Sequence, residues 1–421
     1  MYRLFNTLFR MSLILAACVA LTAHSSSADT VRISCPKTSR YLYIWASDMA
    51  HKVSDSLVVV DFDEDSRNYG KVIRVVPLPG PGNTGNEPHH MHLSADKRIL
   101  GCGGLLSLLK GQNGIFFFDT SKPEKPKFMF STNTLLSSIT DDFLPLDEGG
   151  FLVTMMGSAS GGSPGRVAEF DGGLNLVGEW PASPPLDGFN PHGISVRLEK
   201  NLMVTSDFLN PVTTLNVVPG PVELRTSIRV WDFKNRTIVK TIPVPSGNGT
   251  MDVKLIPGDP KGRAYACGTF DGHVHLIDTQ AGTSVPVFDT DDINPGGPPA
   301  SPQLIQMPAS GDRLIFSLFE TGQVVMLDIS DRLHPKLLSV VELGIGAGPH
   351  SVHLTHDDKR LVVSDYFLDE DGFGKVHLEG DHKVHVLKVH RNKLELDRRF
   401  NLDFNTAFST GPARPHGVEI Y

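Results

Sequence analysis

Ser56-Leu57-Val58-Val59-Val60-Asp61 is an apolar, β-branched run closed by an acid. Six further copies follow. They are Gly114 to Asp119, Arg166 to Asp171, Ser227 to Asp232, His273 to Asp278, Gln323 to Asp328 and Lys383 to Lys388, where the acid is lost. The seven copies start 46 to 61 residues apart. Each is rich in β-branched and aromatic residues and runs into polar or Gly/Pro turn residues, so each reads as a strand. A strand-built period near this length predicts an all-β, seven-bladed β-propeller with one four-stranded sheet per repeat. No long apolar pattern of helical period follows residue 30.

Upstream of each copy lies the expected innermost strand, beginning near His89, Asp141, His192, Asp252, Gln303, His350 and His416. The His416 strand is the last in the chain and has no partners after it. Tyr41 to Trp45 and Ser56 to Asp61 are the strands it lacks. The ring is therefore expected to close by pairing the C-terminal strand with N-terminal strands, which leaves no free edge at the seam.

Pro-His occurs four times in phase with this repeat, at Pro88-His89, Pro191-His192, Pro349-His350 and Pro415-His416. A residue at the same point of a radial repeat returns to the same axis, so His89, His192, His350 and His416 are the primary candidate metal ligands. His90, His92 and His353 are further candidates. Strict strand alternation would turn His89 and His90 to opposite faces, and the sequence does not say which faces the axis. Neutral imidazole suits copper, with other divalent metals possible. Asp141, Asp142, Asp252 and Gln303 are placed to orient the histidines. Glu419 and Asp252 are the candidate acid–base residues. His273, His275, His382 and His385 are assigned to the outer apolar-run strands, away from the axis, and read as structural. His51, His334, His377 and His390 read as surface residues, and Trp45, Trp180 and Trp231 as packing.

The 421-residue chain, with 40% hydrophobic residues, has ample apolar content for one large domain over 29–421. A net charge of −8 without a basic, aromatic-laced stretch argues against a nucleic-acid partner. Residues 1–28 read as an export signal. Arg3 and Arg10 precede a short apolar core from Met11 to Ala23, and Ser26-Ser27-Ala28 is a small-residue cleavage site. A lipoprotein box ending at Cys18 is the secondary reading. The mature protein is expected in the periplasm or outside the cell, with no transmembrane segment. Cys102 and Cys267 sit in apolar runs and read as core. The segments 205–226 and 284–302 exceed hairpin length and read as a lid over one mouth. Oligomeric state is not legible.

Several stretches resemble, in matching order, the selenium-binding protein family that includes the bacterial methanethiol oxidases. They are Val60 to Ile73 leading to Pro77-Leu78-Pro79, Glu87-Pro88-His89-His90, Ile228 to Asp232, and Leu327 to Asp331 with His334-Pro335-Lys336. The resemblance runs from about Tyr41 to the C-terminus. It implies a seven-bladed propeller and copper-dependent oxidation of methanethiol to formaldehyde, hydrogen sulfide and hydrogen peroxide. The implied partners are a small thiol and dioxygen. Animal and plant members carry a Cys-x-x-Cys after the paired histidines, and Met91 to Leu100 has none. The competing readings are a non-catalytic copper- or selenium-binding propeller and a lactonase-type hydrolase using a divalent cation. Four histidines argue against the hydrolase.

Overall fold

Each of the seven runs forms the third strand, counted from the axis, of an antiparallel sheet. The computed structural model describes residues 39–80, 83–214, 221–245, 248–370 and 376–421. Of 367–370 and 376–379 it describes the backbone alone. The export segment 1–28, Cys18, Cys35 and the His377 side chain lie outside the described residues.

The seven sheets are blades I to VII of a propeller. Their inner strands are Ala413–Ile420, Pro88–Leu93, Ser137–Pro145, Pro191–Arg197, Thr250–Leu255, Pro302–Gln306 and Pro349–Leu354. Each inner strand contacts the next around the axis, and the seventh contacts the first, so the ring is closed. Closure is made as the sequence predicts. Ala413–Ile420 pairs with Tyr41–Asp48, placing Leu42 opposite Ile420 and Ile44 opposite Val418.

The third strands read as unbroken apolar runs because both faces of each blade pack on a neighbour. In Ile115–Asp119, Phe116 and Phe118 join Tyr43, Trp45, Leu57 and Val59 on one side. Ile115 and Phe117 join Phe143, Phe151 and Val153 on the other. Complete burial of each such ring stabilises the fold by about 1.5–3 kcal/mol. The closing acid serves the turn. Asp119 accepts from the Ser121 amide, Asp278 from those of Gln280 and Ala281, and Asp328 from that of Ser330. These are side-chain-capped turns into the outermost strand.

Where the inner strands begin, their pairing with the second strand slips. The shifts fall between Pro88 and Met91, Pro191 and Ile194, Thr250 and Val253, Pro302 and Ile305, and Pro349 and Ser351. Such bulges re-aim side chains and free backbone groups. Hydroxyls from the preceding blade take up the freed carbonyls. Thr154 Oγ1 donates to His192 O, Ser317 Oγ to His350 O and Ser364 Oγ to His416 O, each at 2.6 Å.

The long insertions have different bounds from those expected. Residues 205–209 and 224–226 belong to the strands Leu202–Leu209 and Leu224–Asp232, and 284–289 to Thr283–Asp289. The sequence reading missed a hairpin in blade VII, Phe367–Glu370 with Val376–Glu379. The connections 210–223, 290–301 and 366–382 all leave from the end of the ring where the inner strands begin. Among the described residues no helix is long and apolar enough to cross a membrane.

Candidate metal centre

Proline opens Pro88–Leu93, Pro191–Arg197 and Pro349–Leu354, where its missing N–H costs no ladder bond, and is the third residue of Ala413–Ile420; the histidine after each of these prolines turns to the axis. His89, His192, His350 and His416 converge there. The rings of His89 and His416 lie 4.2 Å apart, and those of His350 and His416 4.8 Å apart. His90 joins them, its ring stacked 4.3 Å from His89. The alternation that would separate His89 from His90 does not hold, because the bulge between Pro88 and Met91 breaks it. His90 Nε2 lies 3.5 Å from His350 Nε2.

Asp141 is the anion of the cluster. It lies 3.3 Å from His89 Nε2, 3.1 Å from His90 Nδ1 and 3.4 Å from His192 Nε2, and is completely buried. Gln303 Oε1 lies 3.1 Å from His350 Nδ1. The ligand-type atoms form two overlapping groups, His89/His90/His416 and His89/Asp141/His192. Despite these approaches, both ring nitrogens of His89 and His416, His192 Nδ1 and both oxygens of Asp141 make no aligned hydrogen bond. So many orphaned buried polar atoms are costly. A metal ion would satisfy them, and the donor set fits one.

The electrostatics agree. Burial pushes His192 down to about 3. Burial and then the neighbouring imidazoles hold His350 and His416 well below the usual histidine range. His89 is lowered by burial and by His90. These rings are held neutral, the form of imidazole that ligates a metal. Burial would raise Asp141, but His192, His89 and His90 outweigh it and hold its carboxyl well below the usual range. Burial lowers His90 and Asp141 more than reverses that, so it is raised. A buried carboxylate among neutral imidazoles demands one cation, either a proton on His90 or a metal.

Asp141→Asn removes that demand. We expect metal affinity to fall about 10–100-fold, read by competitive titration. In metal-free protein the Asp141 contribution to stability is present above the unfolded carboxyl value of about 3.9 and is lost as pH falls through the lower folded value. The stability gap between wild type and Asp141→Asn should therefore close on acidification, measured as denaturation midpoints at several pH values.

Further along the same strands lies a second tier. His92 Nδ1 sits 3.2 Å and His353 Nε2 3.6 Å from Glu419, and the two rings are 5.9 Å apart. Burial lowers His353, partly offset by Glu419. A cavity of about 270 Å³ is walled by His90, His92, His192 and His353, with Asp142, Asp252 and Lys254. Glu419 stands behind His92 and His353. Asp252 lies 3.1 Å from Lys254 Nζ and accepts from the Val253 and Ile305 amides, apart from the histidines. Asp142 holds the same lysine at 3.2 Å. None of the described residues of 205–226 and 284–302 lines this cavity, while Phe208 in the first segment packs its ring 5.1 Å from that of His192.

Sequence reasoning missed Lys254 and a buried group beside the paired histidines. Arg414 Nη2 donates to Glu87 Oε2 at 2.8 Å, and Tyr366 Oη donates to Glu87 Oε1 at 2.5 Å. His51, expected at the surface, is half-buried with Nε2 2.8 Å from Arg414. Glu87→Gln leaves the Arg414 charge buried without its partner. It should cost about 3–5 kcal/mol, checked by guanidinium unfolding.

The sequence profile of the 56 kDa selenium-binding protein matches residues 127–421, more than half of the chain. The chain belongs to the selenium-binding protein family. The methanethiol oxidase of Hyphomicrobium sp is 24% identical over 398 residues, covering 87% of each chain. That of Ruegeria pomeroyi is 25% identical over 406 residues, covering 89% of this chain and 88% of the relative. The human methanethiol oxidase is 22% identical over 425 residues, covering 86% and 88%. Among solved structures, a hypothetical selenium-binding protein from Sulfolobus tokodaii superposes with a TM-score of 0.74 at 18% identity, covering 91% of this chain and 94% of that one. The Pseudomonas aeruginosa periplasmic gluconolactonase gives 0.61 at 11% identity, covering 90% and 98%. At these identities the structures share the fold.

Proposed function

We propose that this selenium-binding family protein is an exported, copper-dependent oxidase of a small thiol of the methanethiol class. The single observation that carries the reading is the axial cluster of imidazoles, with orphaned nitrogens around buried Asp141. The curated relatives named methanethiol oxidase supply the substrate class. The balanced reaction is methanethiol, dioxygen and water to formaldehyde, hydrogen sulfide and hydrogen peroxide.

His89, His192, His350 and His416 would hold the metal, with His90 as the fifth imidazole within reach. Copper, when bound, supplies a site for soft sulfur and a one-electron path to dioxygen. The chain's own residues handle the proton. A thiol binds a metal as thiolate, so its proton must leave. His92 and His353 face the cavity, and the neutral His353 ring is a base ready to take that proton. Glu419 behind them stabilises the imidazolium that forms, as a buried carboxylate behind a catalytic histidine does. The cavity of about 270 Å³ has room for a small thiol.

The test loads protein exported from copper-replete cells, measures its metal by elemental mass spectrometry, and adds methanethiol. About one copper per chain with peroxide and formaldehyde release supports the reading. Copper without thiol loss leaves a non-catalytic copper-binding propeller. Zinc or calcium in its place moves the site toward hydrolysis.

A further inference from the structure

Blade VII carries a second cluster of ligand-type atoms away from the axis. Asp365 ends the strand Arg360–Asp365, and His385 lies on the next long strand, Lys383–His390. Between them runs the hairpin insertion, and Asp381 follows it. The three side chains therefore bracket the base of that hairpin. One ligand atom from each of Asp365, Asp381 and His385 lies within 4.8 Å of the other two.

This acidic pair has a second feature that points to a ligand. Asp365 is completely buried, and neither of its carboxylate oxygens makes an aligned hydrogen bond. His385 Nε2 approaches Asp365 Oδ2 to 2.7 Å and is likewise without an aligned bond. A buried carboxylate is ordinarily paired, hydrogen-bonded or coordinated to a metal. The Lys383 ammonium does not fill that need. It pairs with Asp381 Oδ2 at 2.5 Å, on the more exposed side. Carboxylate oxygen and imidazole nitrogen are both ligand types that zinc accepts, and three protein ligands is the number in zinc sites that keep a fourth position open.

We propose that Asp365, Asp381 and His385 bind one divalent cation of zinc character, which staples the base of the blade VII hairpin. The next residue, Tyr366, has its ring 5.7 Å from that of His416. The staple thus fixes the backbone next to a wall of the axial centre. The inference does not depend on copper or on thiol oxidation.

The test isolates the site by titrating Co²⁺ into a His192→Ala/His350→Ala protein, with visible absorption as the readout and Zn²⁺ as competitor. We expect one Co²⁺ per chain, displaced by Zn²⁺. Adding His385→Ala or Asp365→Asn should weaken binding on the order of 100-fold or more, since even outer partners of a ligand are worth 10–100-fold. If the double variant does not fold, copper-loaded wild type and copper-loaded His385→Ala are compared, and the expected difference is one bound Co²⁺. No uptake by folded protein would overturn the proposal. So would uptake that neither His385→Ala nor Asp365→Asn changes.

Discussion

His192→Ala and His350→Ala are each expected to give a folded protein that retains no stoichiometric metal and releases no peroxide from methanethiol. Both side chains are completely buried at the axis, and both rings are held neutral. The fold survives because its stability lies elsewhere. The apolar clusters sit between blades, as in the Trp45–Phe116–Phe118 group, and none depends on an axial imidazole. In the metal-free state the axis is a place of unmet polar atoms, so losing one imidazole removes part of that penalty. Metal-free wild type and variants should melt within a few degrees of one another. Copper should separate them. A ligand at about 1,000 times its Kd stabilises the state that binds it by about 4.1 kcal/mol. Wild type should therefore melt later on copper addition while neither variant moves. A variant that keeps full metal content and a full copper-induced shift would exclude its histidine from the centre.

The fold was legible because propeller packing writes itself into one strand per blade. The third strand is buried on both faces and must be apolar throughout, and the acid after it makes a local turn. Both signals lie within a few consecutive residues. The four axial histidines were legible because proline marks the start of an inner strand, and that start faces the axis. His90 was not. Its direction depends on a bulge, which is a register event between two strands and leaves no periodic trace. The Glu87–Arg414 pair joins residues 327 positions apart at the seam of the ring, which no local pattern records. The supporting hydroxyls Thr154, Ser317 and Ser364 were half-visible. A lone Ser or Thr in an otherwise apolar buried strand asks for a partner, but only the ring shows that the partner belongs to the next blade. The His385 cluster was masked by the pattern that revealed the fold, since a histidine within one of the repeated apolar runs reads as packing.

Glu419→Gln is expected to keep copper bound and to lower kcat by about 10²–10⁴-fold, the range spanned by general acid–base contributions. The carboxylate stands 3.2 Å from His92 Nδ1 and 3.6 Å from His353 Nε2, and neither ring belongs to the axial groups. Removing its charge should leave the ligand set intact while raising the energy of a protonated imidazole beside it. Burial already lowers His353, and Glu419 is the stronger of the two carboxylates that oppose this, the other being Asp142. In the variant the ring becomes a weaker base and accepts the thiol proton less readily. The acid limb of the pH–rate profile, which reports protonation of that base, should then move to lower pH. A residue that only filled space would change rate without moving the limb. His353→Ala and His92→Ala in the Glu419→Gln background should add little to its effect, because groups acting as a unit are not additive. Loss of copper from Glu419→Gln, or an unchanged rate, would remove the second tier from the chemistry and leave the axial centre to act alone.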